Sequence, residues 1–435
     1  MADLERRRNE ELARILHQLG WNPERLAREV NLTLQPGLAI SSTAPYKWRD
    51  RGMVPRSPHD QAVCEVLSRT LGIAVTYEQL WGRMGGNRGA KILSPRLLTD
   101  PWTADTAQTA LREAATDAGP VRLTDLFRGA DLDQAARRLA SPPPPVGGGE
   151  GALRIDPGLV DELGFSYRSK LRLERACGGG LVLGPARAEL AMVAKLLELG
   201  AYDEKRGREL YGTASRLAGL AGSAAYDLGH DAAAQRAFVA ALRAAHVSGD
   251  PRLGVEVVGS LVVLATHGPG GRGSGAVTML AAALESAGDT LGPAERALQY
   301  GRIARAYGRW GEPEAAGAAA ERAFAEAGDG VMADPETGAD LAGMVGEAYL
   351  YLGDHRRAQA LLAEAVAGLG PGRARAKALL LVRLADSHRR DGAPEEAART
   401  AVLARALASG MQSERVARAL RDFDAASRAA LPGGA

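Results

Sequence analysis

The chain has 435 residues, of which 54 are basic and 52 acidic, so its formal net charge is only +2. This near-balance excludes a polycation that binds nucleic acid along its whole length, and any such affinity would have to come from a local basic patch. Aromatic residues make up 5% of the chain, Ala and Gly dominate, and alternating β-branched residues are almost missing. We therefore predict an all-α protein with closely packed helices.

Cysteine content and the first residues bear on the cellular compartment. Two cysteines, Cys64 and Cys177, give neither a disulfide framework nor a zinc site. The opening residues, MADLERRRNEEL, are charged and have no apolar run behind them, so we expect no leader peptide. No stretch approaches the roughly 18 apolar residues of a membrane span. We expect a cytoplasmic protein without a membrane partner.

The N-terminal residues predict a small helical head. Apolar residues over Asp3–Leu19 lie on one helical face, and Gly20 ends that helix. Asn22 is a suitable N-cap for a second helix, Pro23–Val30. After the loop Asn31–Ser41, we expect a third helix that Ser41 or Ser42 caps, that runs to Arg51 and that Gly52 ends. A fourth apolar segment follows in AVCEVLSRTLGIAVTYEQLWG, with Leu67, Leu71, Ile73, Leu80 and Trp81.

The third predicted helix lies in PYKWRDRGMVP and turns Trp48 inward. Arg49 lies at the border, and the outward polar residues are Thr43, Tyr46, Lys47, Asp50 and Arg51. Arg and Lys neutralise phosphates, and a helix can enter the DNA major groove. The net charge of Pro23–Pro58 is only +3, which predicts modest affinity for one head and hence dimeric binding. The alternative is a structural head whose charges are merely solvated.

The order NPERLAREV followed by STAPYKWRDRGMVP resembles the helix-turn-helix of the Cro/repressor-like family: a capped helix with Leu-Ala, a recognition helix, Trp, a basic residue, Gly and Pro. The resemblance implies binding to double-stranded DNA. It makes Thr43, Tyr46 and Lys47 candidate base readers. It makes Arg49, Arg51 and Arg56 candidate backbone contacts, and Ser42 a cap or phosphate ligand. The loop Asn31–Ser41 is longer than the turn of that family.

The remaining chain predicts domain boundaries and a repeat array. We divide the whole chain into residues 1–94 (the head), 95–140 (a short helical extension), 141–151 (a linker, SPPPPVGGGEG) and 152–435 (the repeats). In the extension we expect two helices, Thr103–Asp117 and Leu123–Ala140. Helix-ending glycines recur at Gly229, Gly271, Gly311, Gly353 and Gly392, which are 42, 40, 42 and 39 residues apart. Small or apolar residues follow each glycine at the fifth, ninth and twelfth positions. This period predicts an α-solenoid of helical pairs.

The repeats resemble tetratricopeptide repeats, because a small residue, Tyr and Gly end the first helix in Ala304, Tyr307 and Gly311 and again in Gly346, Tyr349 and Gly353. The spacing here is longer than the 34 residues of that family. The resemblance implies a groove that could receive a protein, peptide or small-molecule effector. The repeats contain no Asn, however, the side chain with which related peptide-sensing regulators hold a peptide backbone.

Head and repeats together resemble actinobacterial, Streptomyces-type transcriptional regulators, some of which restrain development and antibiotic production. The resemblance implies a sequence-specific regulator, such as a repressor of development or secondary metabolism, that dimerises or binds an effector through its repeats. The alternative is a tetratricopeptide scaffold that binds proteins and not DNA. We expect no catalytic residues, cofactor or metal. The glycines of HGPGGRGSG, Gly268, Gly270 and Gly273, lie in a predicted turn between helices and lack the βαβ context of a nucleotide-binding loop.

Overall fold

The computed structural model describes residues 8–32, 34, 38–55, 59–71, 75, 80–81, 101–116, 135, 137–147, 149–151, 153–267 and 274–430. The described residues are overwhelmingly helical, which confirms the all-α prediction. The chain forms two compact units. The smaller one is built mainly from Met1–Arg96, and the larger one mainly from Leu97–Thr116, Arg128–Gly229 and Ala233–Ala435.

The smaller unit contains four described helices, α1 (Glu10–Gln18), α2 (Pro23–Asn31), α3 (Ala44–Arg51) and α4 (His59–Leu71). The first helix begins at Glu10 and not at Asp3, because Asn9 has extended backbone and its side chain accepts a hydrogen bond from the Leu12 amide. The second helix confirms its predicted signals: Asn22 accepts from the Arg25 amide, and Pro23 occupies the first turn.

An apolar core holds the four helices together. Its fully buried members include Leu12 and Ile15 from α1, Leu26 from α2 and Leu67 from α4, and Trp81 lies among them. Leu71 and Leu80, which the sequence also assigned to this core, are buried too, whereas Ile73 lies outside the described residues. Burial of such side chains is worth about 1.5–3 kcal/mol each, so this core supplies most of the stability of the head.

The larger unit is a succession of helices. In chain order they are α5 (Ala104–Ala115), α6 (Pro157–Cys177), α7 (Leu183–Leu199), α8 (Glu204–Asp227), α9 (Asp231–Ser248), α10 (Pro251–His267), α11 (Ser274–Ala287), α12 (Pro293–Trp310), α13 (Pro313–Met332), α14 (Pro335–Leu352), α15 (His355–Gly368), α16 (Ala374–Arg390), α17 (Pro394–Ala408) and α18 (Glu414–Ala429). Successive pairs pack side by side, α12 with α13, α14 with α15 and α16 with α17. The first helices of neighbouring pairs also pack together, as α12 does on α14. This arrangement confirms the solenoid-like prediction.

The structure shows a common role for each kind of position that defines the repeat in the sequence: the glycines end helices, and the small or apolar residues beyond them are buried. Four of the five glycines, Gly229, Gly311, Gly353 and Gly392, have positive φ angles, whereas Gly271 lies outside the described residues. The residues five, nine and twelve positions beyond each glycine are all buried: Ala234, Phe238, Ala241, Ala276, Leu280, Ala283, Ala316, Ala320, Ala323, Ala358, Leu362, Ala365, Ala397, Ala401 and Ala404. Small residues let the helices approach closely: a Cβ on Gly308 would lie 2.7 Å from the Ala348 Cα atom.

The segment Ser141–Gly151, predicted as a linker, packs within the larger unit. Val146 is buried, and Gly149–Glu150 (β1) pairs antiparallel with Gly200–Tyr202 (β3). Leu153–Arg154 (β2) pairs parallel with the other edge of β3, so these three short strands form one small sheet. The predicted helix Thr103–Asp117 is α5, which Thr103 caps, and most of the predicted helix Leu123–Ala140 lies outside the described residues.

The last repeat contacts the start of the array. The Gln412 amide donates to the Cys177 carbonyl at 2.9 Å, and the Gly180 amide donates to the Gln412 carbonyl at 3.1 Å. The Ser413 hydroxyl donates to Asp227 at 2.8 Å. These contacts join α18 to the ends of α6 and α8. Among the described helices of the whole chain, none is long and apolar enough to cross a lipid bilayer.

Candidate nucleic-acid interface

Helix α3 has one buried and one exposed side. Trp48 is only 6% exposed and meets Trp81 edge to face, with ring centroids 6.2 Å apart, and Pro45 in the first turn is buried as well. The inward position of Trp48 agrees with its prediction from the sequence. Because a large buried aromatic side chain fixes the helix in rotation, the polar residues on the other side have a set direction.

The beginning of α3 differs from the prediction. Its N-cap is Thr43, which has right-handed helical backbone angles and makes no side-chain capping hydrogen bond. The Ser41 carbonyl accepts from the Ala44 amide at 3.1 Å, and the Ser41 and Thr43 hydroxyls are 3.1 Å apart. The prediction that Ser41 or Ser42 caps the helix is therefore wrong, because the chain enters it through a turn. Ser42 is exposed in that turn.

The end of α3 is as predicted. Gly52 has a φ angle of 58°, in the left-handed region that favours glycine, and its amide donates to the Lys47 carbonyl. This cap ends the helix directly after Arg51. Of the residues that follow, Met53 is exposed, and Arg56, a predicted backbone contact, lies outside the described residues.

Three predicted contact residues form a row on the exposed side. Thr43, Lys47 and Arg51 are all exposed and are spaced four positions apart, so they follow one another along one helical face. Neither Lys47 nor Arg51 forms an ion pair with another described residue. The row thus presents a hydroxyl and two cationic groups to solvent.

Two further predicted residues, Tyr46 and Arg49, make contacts within the protein. The Arg49 guanidinium donates to both carboxylate oxygens of Asp50, at 2.7 and 2.8 Å, and lies over the Tyr46 ring at 5.2 Å. This bidentate pairing lowers the pKa of the Asp50 carboxyl and raises that of Arg49. Both groups therefore stay charged at neutral pH. Tyr46 and Arg49 are half-buried, in contrast to Lys47.

Two side chains, Asn31 and His59, contact the end of the loop between α2 and α3. The Asn31 side-chain nitrogen donates to the Ile40 carbonyl at 3.0 Å, and the Asn31 side-chain oxygen accepts from the Ile40 backbone amide at 2.8 Å. His59, at the start of α4, contacts the Leu38 carbonyl at 2.8 Å. The chain just before α3 is therefore fixed from two sides, even though the loop is longer than a tight turn.

Asn9 connects α3 to the rest of the head. Its backbone amide donates to the Arg49 carbonyl at 2.7 Å, and its buried side chain donates to the Leu80 carbonyl at 2.8 Å. Residue 49 thus has its backbone fixed although its side chain faces outward. The role of Asn9 was missed from the sequence, where its only visible signal was that Asn is a frequent N-cap.

Helix α2 adds two cations that the sequence analysis left out. Arg25 and Arg28 are exposed, and their separation of three places them on one face. The Arg25 guanidinium lies over the Trp21 ring at 5.0 Å. Their signal was present in the sequence, because the buried residues Leu26, Ala27 and Val30 leave both arginines on the solvent side.

The described residues show no group of three or more His, Cys, Asp or Glu side chains that could hold a metal ion. The glycine-rich motif at Gly268–Gly273 lies outside them. In the head, α2 and α3 present cationic and hydroxyl groups to solvent, with the half-buried rings of Trp21 and Tyr46 beside them.

Comparison with known proteins bears on this same part of the chain. Neither the search of curated proteins nor the search of solved structures found a match. Residues 12–81, which contain most of α1 and all of α2 to α4, match the family described as the SP15 N-terminal domain.

Proposed function

We propose that the protein is a sequence-specific DNA-binding transcriptional regulator whose α3 is the recognition helix. The observation that supports this most directly is the row Thr43, Lys47 and Arg51 on a helix that the buried Trp48 fixes in rotation. A rigid helix with exposed hydroxyl and cationic groups suits the major groove, where Lys and Arg donate to guanine and hydroxyl groups contact several bases.

The surrounding residues suit the phosphate backbone. Arg25 and Arg28 on α2 are exposed cations next to α3 in the head, whose α2 and α3 pack together. Ser42, in the exposed turn before α3, can donate a hydroxyl hydrogen bond to a phosphate oxygen. Such contacts set the register of a protein on DNA and carry no sequence information themselves. Arg49 joins them only if its guanidinium leaves Asp50.

The repeat array completes the proposed mechanism. Because the segment Pro23–Pro58 has a net charge of only +3, a single head would bind weakly, and two heads would be needed for a tight operator. The array would dimerise or bind an effector or partner protein, and so change the presentation of the heads. By its resemblance to Streptomyces-type regulators, the protein would act in the cytoplasm, as a repressor of development or secondary metabolism.

A second function, a protein-binding scaffold without DNA affinity, is favoured by one observation. The larger unit is an array of helical pairs, an architecture that commonly presents a groove to a protein segment. The two functions differ in measurable ways. A DNA-binding regulator prefers certain sequences over bulk DNA and loses affinity steeply with salt, whereas a scaffold does neither.

Selection from fragmented genomic DNA with the purified full-length protein tests the proposal. We expect the wild type to recover a shared motif, and a Thr43→Ala/Lys47→Ala variant to lose it, because both changes remove groups from the exposed row. Arg14→Ala is the matched control, since Arg14 lies on α1 and pairs with Glu11 at 2.7 Å. It should recover the same motif as the wild type.

The outcomes separate the two functions. A motif recovered by the wild type and the control alone supports a sequence-reading α3, and two half-sites at fixed spacing would report a dimer. Recovery of the same motif by the double variant would exclude α3 as the reader. If no protein enriches DNA at low salt, the scaffold function is favoured instead.

A further inference from the structure

The larger unit contains a groove lined by the first helices of successive pairs, which we call the inner groove. It has a volume of about 320 Å³, and most of its lining residues lie on α6, α8, α10, α12, α14, α16 and α18, with Phe238 of α9 and Arg373, just before α16, beside them. Small-molecule sites in proteins have volumes of about 300–1,000 Å³. The inner groove therefore has the size of a site for a metabolite, and it lies wholly within the larger unit.

The lining of the inner groove is rich in arginine. Six arginines, Arg175, Arg302, Arg305, Arg373, Arg375 and Arg415, line it, against three carboxylates, Glu174, Asp340 and Glu347. The carboxylates are engaged in ion pairs: Glu347 with Arg305 at 3.0 Å, Asp340 with Arg373 at 2.5 Å, and Glu174 with Arg375 at 2.6 Å. Two carboxylates outside the lining, Asp227 and Glu336, also pair with Arg375 and Arg373. The excess of positive charge in the lining therefore comes from the other arginines, Arg175, Arg302 and Arg415.

Arg302 is the cation with the least compensation. Its Nη1 atom donates to the neutral Gln299 side-chain oxygen at 2.9 Å, and it forms no ion pair with a carboxylate of the described chain. Loss of solvent lowers the pKa of its guanidinium, and the more distant charges of Glu256 and Asp340 act in the opposite direction. A guanidinium that has lost solvent without gaining a carboxylate is held at a cost in free energy.

The position of Arg302 depends on a close approach. A Cβ atom on Gly259 of α10 would lie 2.1 Å from the Arg302 Nη1 atom and 2.2 Å from the Gln299 side-chain oxygen. Glycine at this position therefore leaves room for the pair on α12. The amide–guanidinium pair is thus built into the packing of α10 against α12.

Two neighbouring arginines also have unused donors. The Nε atoms of Arg373 and Arg375 are buried and make no hydrogen bond, although the terminal nitrogens of both side chains form ion pairs. Buried donors in folded proteins are usually satisfied, so these two guanidinium groups keep donor capacity that their ion pairs do not use. Guanidinium groups are matched best by carboxylate and phosphate oxygens.

We propose that the inner groove binds a small polyanion, a molecule with two or more carboxylate or phosphate groups, and that Arg302 is its principal contact. The size of the groove and the excess of arginine over carboxylate carry this inference. Arg415, which lies over the Tyr226 ring at 4.7 Å, provides a second guanidinium without an ion pair to the described residues. The inference concerns the larger unit and does not depend on DNA binding by α3.

Calorimetry and thermal unfolding of the full-length protein test the inference, with citrate as the carboxylate probe and pyrophosphate as the phosphate probe. Glucose, and sodium chloride at matched ionic strength, serve as the neutral and ionic controls. We expect one probe, or both, to bind and to raise the unfolding temperature beyond the effect of either control. The comparison of the two probes decides between carboxylate and phosphate.

Variants separate a ligand contact from a structural role. Arg302→Met should weaken binding by about tenfold to a hundredfold, the value of one or two charge-assisted hydrogen bonds. Without ligand its unfolding temperature should be unchanged or higher, because an uncompensated cation has been replaced by an apolar chain of similar length. Arg399→Met, at a side chain on α17 that is 66% exposed, should bind as the wild type does.

Two results would overturn the inference: equal stabilisation by the polyanions and by sodium chloride, or unchanged affinity in Arg302→Met. A lower unfolding temperature of ligand-free Arg302→Met, with unchanged affinity, would give Arg302 a structural role instead. None of these results alters the outcome of the DNA selection, so failure of the groove and failure of the head are distinguishable.

Discussion

Asp50 lies between Lys47 and Arg51 in the sequence of α3 and is exposed like both of them. A free carboxylate at this position would repel a phosphate backbone. The bidentate contact with Arg49 reduces that repulsion but also occupies the cation that the sequence assigned to DNA. The charge on α3 that the proposed DNA contact could use is therefore smaller than the number of its basic residues indicates.

The Asp50→Asn variant should tighten DNA binding, because it releases the Arg49 guanidinium and removes one negative charge. We expect a gain of about two- to fivefold at low salt, since an exposed ion pair is worth at most about 1 kcal/mol. One additional phosphate contact should make the slope of log affinity against log salt steeper by about 0.9. Fluorescence anisotropy with a selected DNA duplex over a salt series measures both quantities.

The matched control for this prediction is Glu10→Gln, which makes the same change of charge on α1. It should give less gain than Asp50→Asn, since Glu10 is 4.0 Å from Arg8 and makes no contact with Arg49. Adding Arg49→Ala to Asp50→Asn should remove the gain. Equal gains in Asp50→Asn and Glu10→Gln would show that net charge alone, and not the release of Arg49, governs the affinity.

The position of α3 in the head depends on the segment that runs from α2 to α3. The start and end of α2 could be predicted because Asn22, Pro23 and the apolar positions act within a few residues. The start of α3 could not, because three successive hydroxyl residues offer equivalent caps in the sequence, whereas the chain enters the helix through a turn in which Thr43 makes no side-chain capping bond. The contact of Asn31 with Ile40 spans nine residues and depends on the folded path of the loop.

Replacement of Asn31 should loosen the loop and weaken sequence-specific binding. Asn31→Ala removes both hydrogen bonds to Ile40, so the backbone amide and carbonyl of Ile40 lose their partners. We therefore expect a loss of about 1–2 kcal/mol in the unfolding free energy. Urea unfolding followed by circular dichroism measures the loss, and anisotropy with specific and random DNA measures the effect on recognition.

Asn31→Asp is the matched variant, because its carboxylate still accepts from the Ile40 amide but cannot donate to the carbonyl. Its stability and its preference for specific DNA should lie between those of the wild type and Asn31→Ala. If Asn31→Ala keeps the full preference for specific DNA, then the loop does not set the direction of α3, and the helix core alone is sufficient.

The repeat array could be predicted from the sequence, but the ion pairs that connect its helices could not. The period of the glycines and the small residues beyond them are local patterns, and every one of those positions that the structure describes is buried or has the expected backbone. The contact between Arg375 and Asp227 joins residues 148 positions apart. No pattern in the sequence specifies such a pair, because it depends on how several repeats stack.

The ion pair between Arg375 and Asp227 connects the start of the array to its sixth pair of helices and, through Ser413, to α18. Arg375 contacts Glu174 at 2.6 Å and Asp227 at 3.1 Å, and the side chains of these acids are 4% and 0% exposed. Arg375→Met leaves both carboxylates buried without their cation, which should cost about 3–5 kcal/mol of unfolding free energy.

Thermal unfolding should show this loss, whereas Arg322→Met, at a side chain 61% exposed, should cost less than about 0.5 kcal/mol. Asp227 keeps its hydrogen bonds from the Gly179 amide and from Ser413, so adding Glu174→Gln to Arg375→Met should recover part of the loss. Equal unfolding temperatures for Arg375→Met and Arg322→Met would mean that apolar packing between repeats, and not this network, holds the two ends of the array together.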